Sequence, residues 1–379
     1  MSRIRRIRRK KPRTGSVWKK LLLWGVLGLL VLAAAAVAGS YLYVRAYLKS
    51  DGFLAMLEQS AVDDMNVETA RIDPLDWDGS GIRCGGVVME GHEFLTSLQA
   101  RNIETEFSRW ELLKRAFVIT SVNIAELKLH LAPVSFRFRE KPEGPRSWAE
   151  ENILPDTFRL EKGSIDSLSV SYGEAGRLYV LDGARVESAY DAGSSQYRFD
   201  VRGGKLLLPF QGCPEFSLMS GTAQFNHSSR RVNIPSCRLT TDAGGYLDIK
   251  GDWDGSSSSW TANVVVNGVP VSSILEDHWR KHVHGSVSGG IDLRGGRDGV
   301  THVAGLARLQ GGMLTGLPVL DRLALFCGSS RFRNLPLHEA SAQFVYQESA
   351  WHISNILVES ENLVRVEAVS YTHLRAHET

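Results

Sequence analysis

Cysteine is scarce in this chain: four in 379 residues, Cys84, Cys213, Cys237 and Cys327, scattered singly with no C-x-x-C pair. That spacing excludes cysteine-based zinc modules and a disulfide framework. A Cys213 to Cys237 bridge in an oxidising compartment and isolated buried thiols both stay open. Phosphate and hydrolase signatures are missing too, with no G-x-x-x-x-G-K-[ST] loop, G-x-S-x-G elbow or H-E-x-x-H pair. Acids are absent from residues 1–20, which hold ten Lys/Arg, so the rest of the chain sets 34 basic against 42 acidic residues. A body of that sign lacks the clustered cations that displace counterions from nucleic acid.

Charge is missing altogether from Leu21 to Val44, where Leu, Val and Ala dominate. At ~1.5 Å per residue such a helix reaches about 36 Å, enough for a hydrocarbon core of roughly 30 Å. Cations before it and an acidic body after it place the N-terminus in the cytoplasm, and Trp18, Trp24, Tyr41, Tyr43 and Tyr47 fit interfacial belts. The rival reading is a cleaved signal peptide, with Ala36-Val37-Ala38 as its A-x-A site. Either way the body is exported.

Beyond the apolar run, Asp51–Asp64 has the spacing of a short amphipathic helix, and Ser108–Arg115 and Val271–His282 read as two more. Strands are expected at Phe117–Ile124 and Glu126–Leu131. A charged, proline-bearing interval at 139–156 reads as a linker or loop. Period-two alternation then dominates, as in Tyr197, Phe199 and Val201 against Arg198, Asp200 and Arg202. The expected fold is mainly β: a transmembrane helix, then a long curled antiparallel sheet of roughly fifteen strands forming a groove, with a few short helices. The organisation is a basic cytoplasmic tail at 1–20, a membrane helix at 21–44, a groove-entrance region at 45–138, the linker at 139–156, a β-rich region at 157–368 and a tail at 369–379.

Alternation also separates two faces. Leu247, Ile249, Val264, Val266, Ile291, Leu293 and Phe344 share the apolar parity, and Asp248, Lys250, Asn263, Asn267, Asp292 and Gln343 the polar one. Only the first set can line an apolar groove without stranding polar groups, so these seven are the candidate groove residues. Catalytic candidates are weaker. His278, His282 and His284 have helical metal-ligand spacing but no adjacent carboxylate base, and a solvated helix end accounts for them. Asp63-Asp64 and Glu150-Glu151 read as solvated charges. The reading is therefore non-enzymatic, with no metal and no cofactor.

Three phrases carry a family resemblance: G-x-V-x-G-x-I-x-L-x-G from Gly285, G-x-L-t-G-l-P-v-L-d-r-L as a turn over Gly312–Leu323, and F-r-x-L-p over Phe332–Pro336. With the weaker Ala100–Leu131 segment, they resemble the AsmA-like family of Gram-negative envelope proteins. The resemblance covers most of the chain and is specific over about a quarter. It implies an inner-membrane anchor, a periplasmic body, and phospholipid carried along an apolar groove in outer-membrane biogenesis, similar to bridge-like lipid transfer proteins. Envelope proteins are the implied further partners, and a tether or chaperone without lipid transport is the competing role. Val369–Thr379 (VSYTHLRAHET) resembles a translated sequencing adapter, so the natural chain is expected to continue past about Glu367.

Overall fold

The computed structural model describes residues 46, 50–77, 81–91, 94–108, 116–133, 157–174, 176–209, 213–226, 229–275, 277–296, 299–347, 350–360, 363–368 and 374–375. The basic tail, the apolar run at 21–44, most of the helix expected at 108–115, the 139–156 interval and most of 369–379 lie outside the described residues. Among the described residues no helix is long and apolar enough to cross a membrane.

Helix α1 (Asp51–Met65) begins where expected, its first turn capped by the Ser50 hydroxyl, which accepts the Phe53 N–H at 3.3 Å. Asn66 ends it in the left-handed conformation, φ 52°. Strands follow as β1 (Thr69–Ile72), β2 (Leu75–Trp77), β3 (Gly81–Glu90), β4 (Leu95–Phe107) and β5 (Ala116–Leu131). The two strands expected in 117–131 are one. Glu58 of α1 accepts the Ile72 N–H at 2.9 Å, so the helix covers part of the β1 edge that water or a foreign strand would otherwise pair with.

The chain continues through β6 (Thr157–Leu160), β7 (Lys162–Glu174), β8 (Arg177–Asp191), β9 (Gln196–Arg202), β10 (Lys205–Leu207) and β11 (Phe216–Asn226). Next come β12 (Arg231–Thr241), β13 (Tyr246–Asp254), β14 (Ser259–Pro270), β15 (Val283–Gly296) and β16 (Gly299–Thr315). The last are β17 (Asn334–Leu337), β18 (Glu339–Gln347), β19 (Ala350–Ser360), β20 (Val364–Ala368) and β21 (Leu374–Arg375). All belong to one 21-stranded sheet, long and curled.

The expectation of a purely antiparallel sheet is corrected at one joint. β5 pairs in parallel with β6 and β7, Ile124 opposite Ile165 and Leu129 opposite Val170. A parallel return needs a crossover of a dozen or more residues, which a tight turn cannot supply and residues 132–156 can. The other described ladders are antiparallel, and several carry bulges, as between Leu218 and Ser220, Ile234 and Cys237, or Val266 and Val269. An extra residue on one strand bends the ladder and increases local twist, which favours curling over a flat ribbon.

Two helical expectations change. Val271–His282 is a one-turn 3-10 helix at Val271–Ser273, then a single turn α2 (Asp277–Arg280). Val271 is buried, and Ser273 Oγ donates to the Pro270 carbonyl at 2.6 Å, a local bond that competes with helix propagation. Conversely, the phrase read as a turn over Gly312–Leu323 is the end of β16 followed by helix α3 (Pro318–Cys327), with Pro at its start and Gly328 closing it at φ 62°.

Buried side chains gather in two clusters. Phe216, Leu218 and Leu239 pack with Leu181, Leu206, Leu247 and the loop residues Leu208 and Cys213. Leu320 of α3 packs with Leu335 and Leu337, flanked by Leu309, Ala340 and Val358. By register both clusters lie toward the same end of the strands.

Candidate functional site

Register converts the alternation into a continuous feature. Leu75, Cys84, Ile103, Ile124, Ile165, Val186 and Val201 are successive Cα partners across the first strands. The row continues through Gly221, Cys237, Ile249, Val264, Ile291, Gly305, Phe344 and Ile353. It crosses fifteen strands, and every member has an apolar or glycine side. At ~4.8 Å per strand it runs about 65 Å.

All seven sequence candidates fall on this face. Ile249, Val264, Ile291 and Phe344 are members of the row itself. Leu247 and Val266 are paired with each other on one side of it, and Leu293 sits on the other side between Ala262 and Val303. Each is half-buried, whereas Lys250, Asn263, Asn267, Asp292 and Gln343 on the opposite face are exposed. Asp248 is half-buried, held bidentately by Arg238 at 2.6 and 2.7 Å.

Toward the end of the strands opposite the buried clusters, the apolar face carries aromatics. Tyr190, Tyr197, Phe225, Val232, Trp253 and Trp260 are successive partners there, with the Tyr190 and Tyr197 rings 4.9 Å apart. Rings elsewhere lie along the sheet over glycines. A Cβ placed on Gly305 would meet the Phe344 ring at 2.5 Å. These glycines let a large ring lie low against the backbone.

The opposite face is a network of paired charges. Arg185 reaches Asp166 at 3.0 Å, Arg198 reaches Asp200 at 3.0 Å, and Asn263 donates to Asp292 at 2.8 Å. Hydrogen bonding from Arg198 holds the Asp200 carboxyl below the usual range, and Arg238 does the same for Asp248. A depression of about 540 Å³ opens among Gln224, Asn233, Asp252 and Thr261 on this polar side, so it is not part of the apolar row.

Sequence reasoning missed the first half of the row, from Cys84 to Val186. Bulges hide it: Ile165 and Leu168 are both on the apolar side but three residues apart, because a register shift intervenes. Ala100 and Ile103 show the same spacing around Asn102, whose φ is 50°. The two-residue period breaks there, although the face does not.

The three histidines lie near one another without converging on a common point. His282 lies past the end of α2, its Nδ1 2.8 Å from the Thr315 carbonyl oxygen, and His284 Nε2 sits 3.3 Å from Thr315 Oγ1. The His278 ring is 5.6 Å from that of His282. Among the described residues no group of three His, Cys, Asp or Glu side chains is placed to hold a metal ion. The four cysteines are free thiols, with Cys213 and Cys237 packed against the same cluster and burial pushing both up. No family model, curated protein or solved structure matches this chain.

Proposed function

We propose that this chain is a non-enzymatic, membrane-anchored lipid conduit of the cell envelope, with its body in the periplasm and phospholipid shielded along the apolar face. The observation that carries the reading is the unbroken apolar row over fifteen strands from Leu75 to Ile353. Burying one methylene is worth ~0.8 kcal/mol, so a sixteen-carbon tail exposed to water costs on the order of 12 kcal/mol. A half-buried apolar surface of this length offsets that cost at every point of transit, which an isolated pocket cannot do. The motif resemblance of Gly285–Glu367 to AsmA-like proteins points the same way, and outer-membrane biogenesis is the process it suggests.

Site-specific photo-crosslinking tests it. A photoreactive amino acid at Val264, Ile291, Ile124 or Ile165 in the full chain, expressed in a Gram-negative host, should yield phospholipid adducts. The same group at Asn263 or Asp292 should yield few. Equal labelling of the two faces, or none on either with the sheet folded, would leave a tether or chaperone as the better reading.

A further inference from the structure

Helix α3 carries apolar side chains of two kinds. Leu320 and Ala324 are buried and fix it to the sheet through Leu335 and Leu337. Val319, Leu325 and Phe326 point away and are 59%, 76% and 90% exposed. Positions 319, 322 and 326 recur on one helical stripe, so Arg322 lies between Val319 and Phe326, with Leu325 beside them. The inner face already secures the helix, and these outer side chains do nothing for the fold.

Their surroundings are cationic. Residues 317–333 hold Arg322, Arg331 and Arg333 against the single acid Asp321. Asp321 pairs with Arg333 at 3.6 Å, and among the described residues Arg322 and Arg331 have no ion-pair partner. We propose that this face of α3 docks on a phospholipid bilayer bearing anionic headgroups, Leu325 and Phe326 entering the acyl region while Arg322 and Arg331 meet phosphates. Protruding apolar side chains with an arginine among them and a second exposed arginine in the next turn of chain fit the pattern of interfacial insertion. Three such side chains offer about half the ~800 Å² per partner that a stable protein interface buries, which disfavours a protein occupant. The proposal does not depend on conduction along the groove.

Cys327, exposed at the end of the same helix, is the reporter site. The full chain, labelled there with bimane, is reconstituted in vesicles of three parts phosphatidylglycerol to seven parts phosphatidylcholine containing doxyl-phospholipid, with the Cys327→Ser chain as blank. Strong quenching is expected, falling at least fivefold in a Leu325→Ser/Phe326→Ser chain and about threefold in Arg322→Glu/Arg331→Glu or in vesicles of phosphatidylcholine alone. Met219→Ser, at an exposed bulge elsewhere, should change nothing. All substituted side chains are exposed, so folding should be retained, which circular dichroism of each variant checks. Quenching that survives the Leu325/Phe326 change, or is equally strong without anionic lipid, would overturn the proposal. So would a dimer in sedimentation that the same double change dissolves.

Discussion

Gly305 shows how much of this architecture rests on single atoms. Its missing Cβ leaves room for the Phe344 ring, and the added carbon would also lie 2.7 Å from the Gly290 carbonyl oxygen. Gly290, facing the other side of the neighbouring strand, has open space where its Cβ would stand and an ordinary φ. Gly305→Ala should therefore destabilise the β15–β16 pair by roughly 1–3 kcal/mol through overpacking. Gly290→Ala should be neutral or slightly stabilising through the unfolded chain. Amide exchange of β15 and β16 checks both, and equal effects would mean the ring moves away without cost. The sequence shows glycines here, but not which one lies beneath a ring.

Among elements, the β13–β14 hairpin is held by its turn. Asp254 accepts from the Ser256 hydroxyl and backbone N–H, and Arg231 reaches it at 3.1 Å. The Ser256 bonds, with help from Arg231, lower its carboxyl from 3.8 to about 2. A carboxyl lowered in the folded state stabilises above its unfolded value and loses that contribution as pH falls through the folded one. The turn should keep full amide protection above about pH 4 and lose part of it between about pH 4 and pH 2. Asp254→Asn should flatten that dependence, as hydrogen exchange at Ser256 and Ser257 would show. Elements also mark where patterns mislead: Val271–His282 has helical spacing but forms only a 3-10 turn and a single α-helical turn, while Pro318–Cys327, inside a phrase read as a turn, is a helix whose sequence signals are Pro318 and Gly328.

For the whole molecule, the governing feature is the alignment of fifteen strands into one apolar row. On the proposed lipid-conduit reading, such a row is only as good as its worst position. Val264→Glu in the full chain should cut lipid transfer between donor and acceptor vesicles on the order of a hundredfold, because an unpaired charge in an apolar channel is a barrier of roughly 3 kcal/mol or more. Asn263→Glu, one residue away on the other face, should leave transfer within about twofold, although it loses the bond to Asp292 and sets a carboxylate opposite that one, at a cost of roughly 0.2–1 kcal/mol in stability. Equal loss from both changes would show that the faces are not functionally distinct.

The alternation of Leu247, Ile249, Val264, Val266, Ile291, Leu293 and Phe344 with polar neighbours was enough by itself to mark strands and to put these seven on one face. That information is local, since adjacent side chains on a strand point to opposite faces whatever the strand pairs with. Three things were decided only in the folded chain. Register joined Cys84, Ile103, Ile124 and Ile165 to that same face across bulges that break the period. β5 and β7 became parallel partners, and α3 settled on Leu335 and Leu337, leaving Phe326 in solvent. Each depends on contacts between residues far apart in the chain, and a single strand's pattern is equally compatible with either neighbour, either direction and several registers.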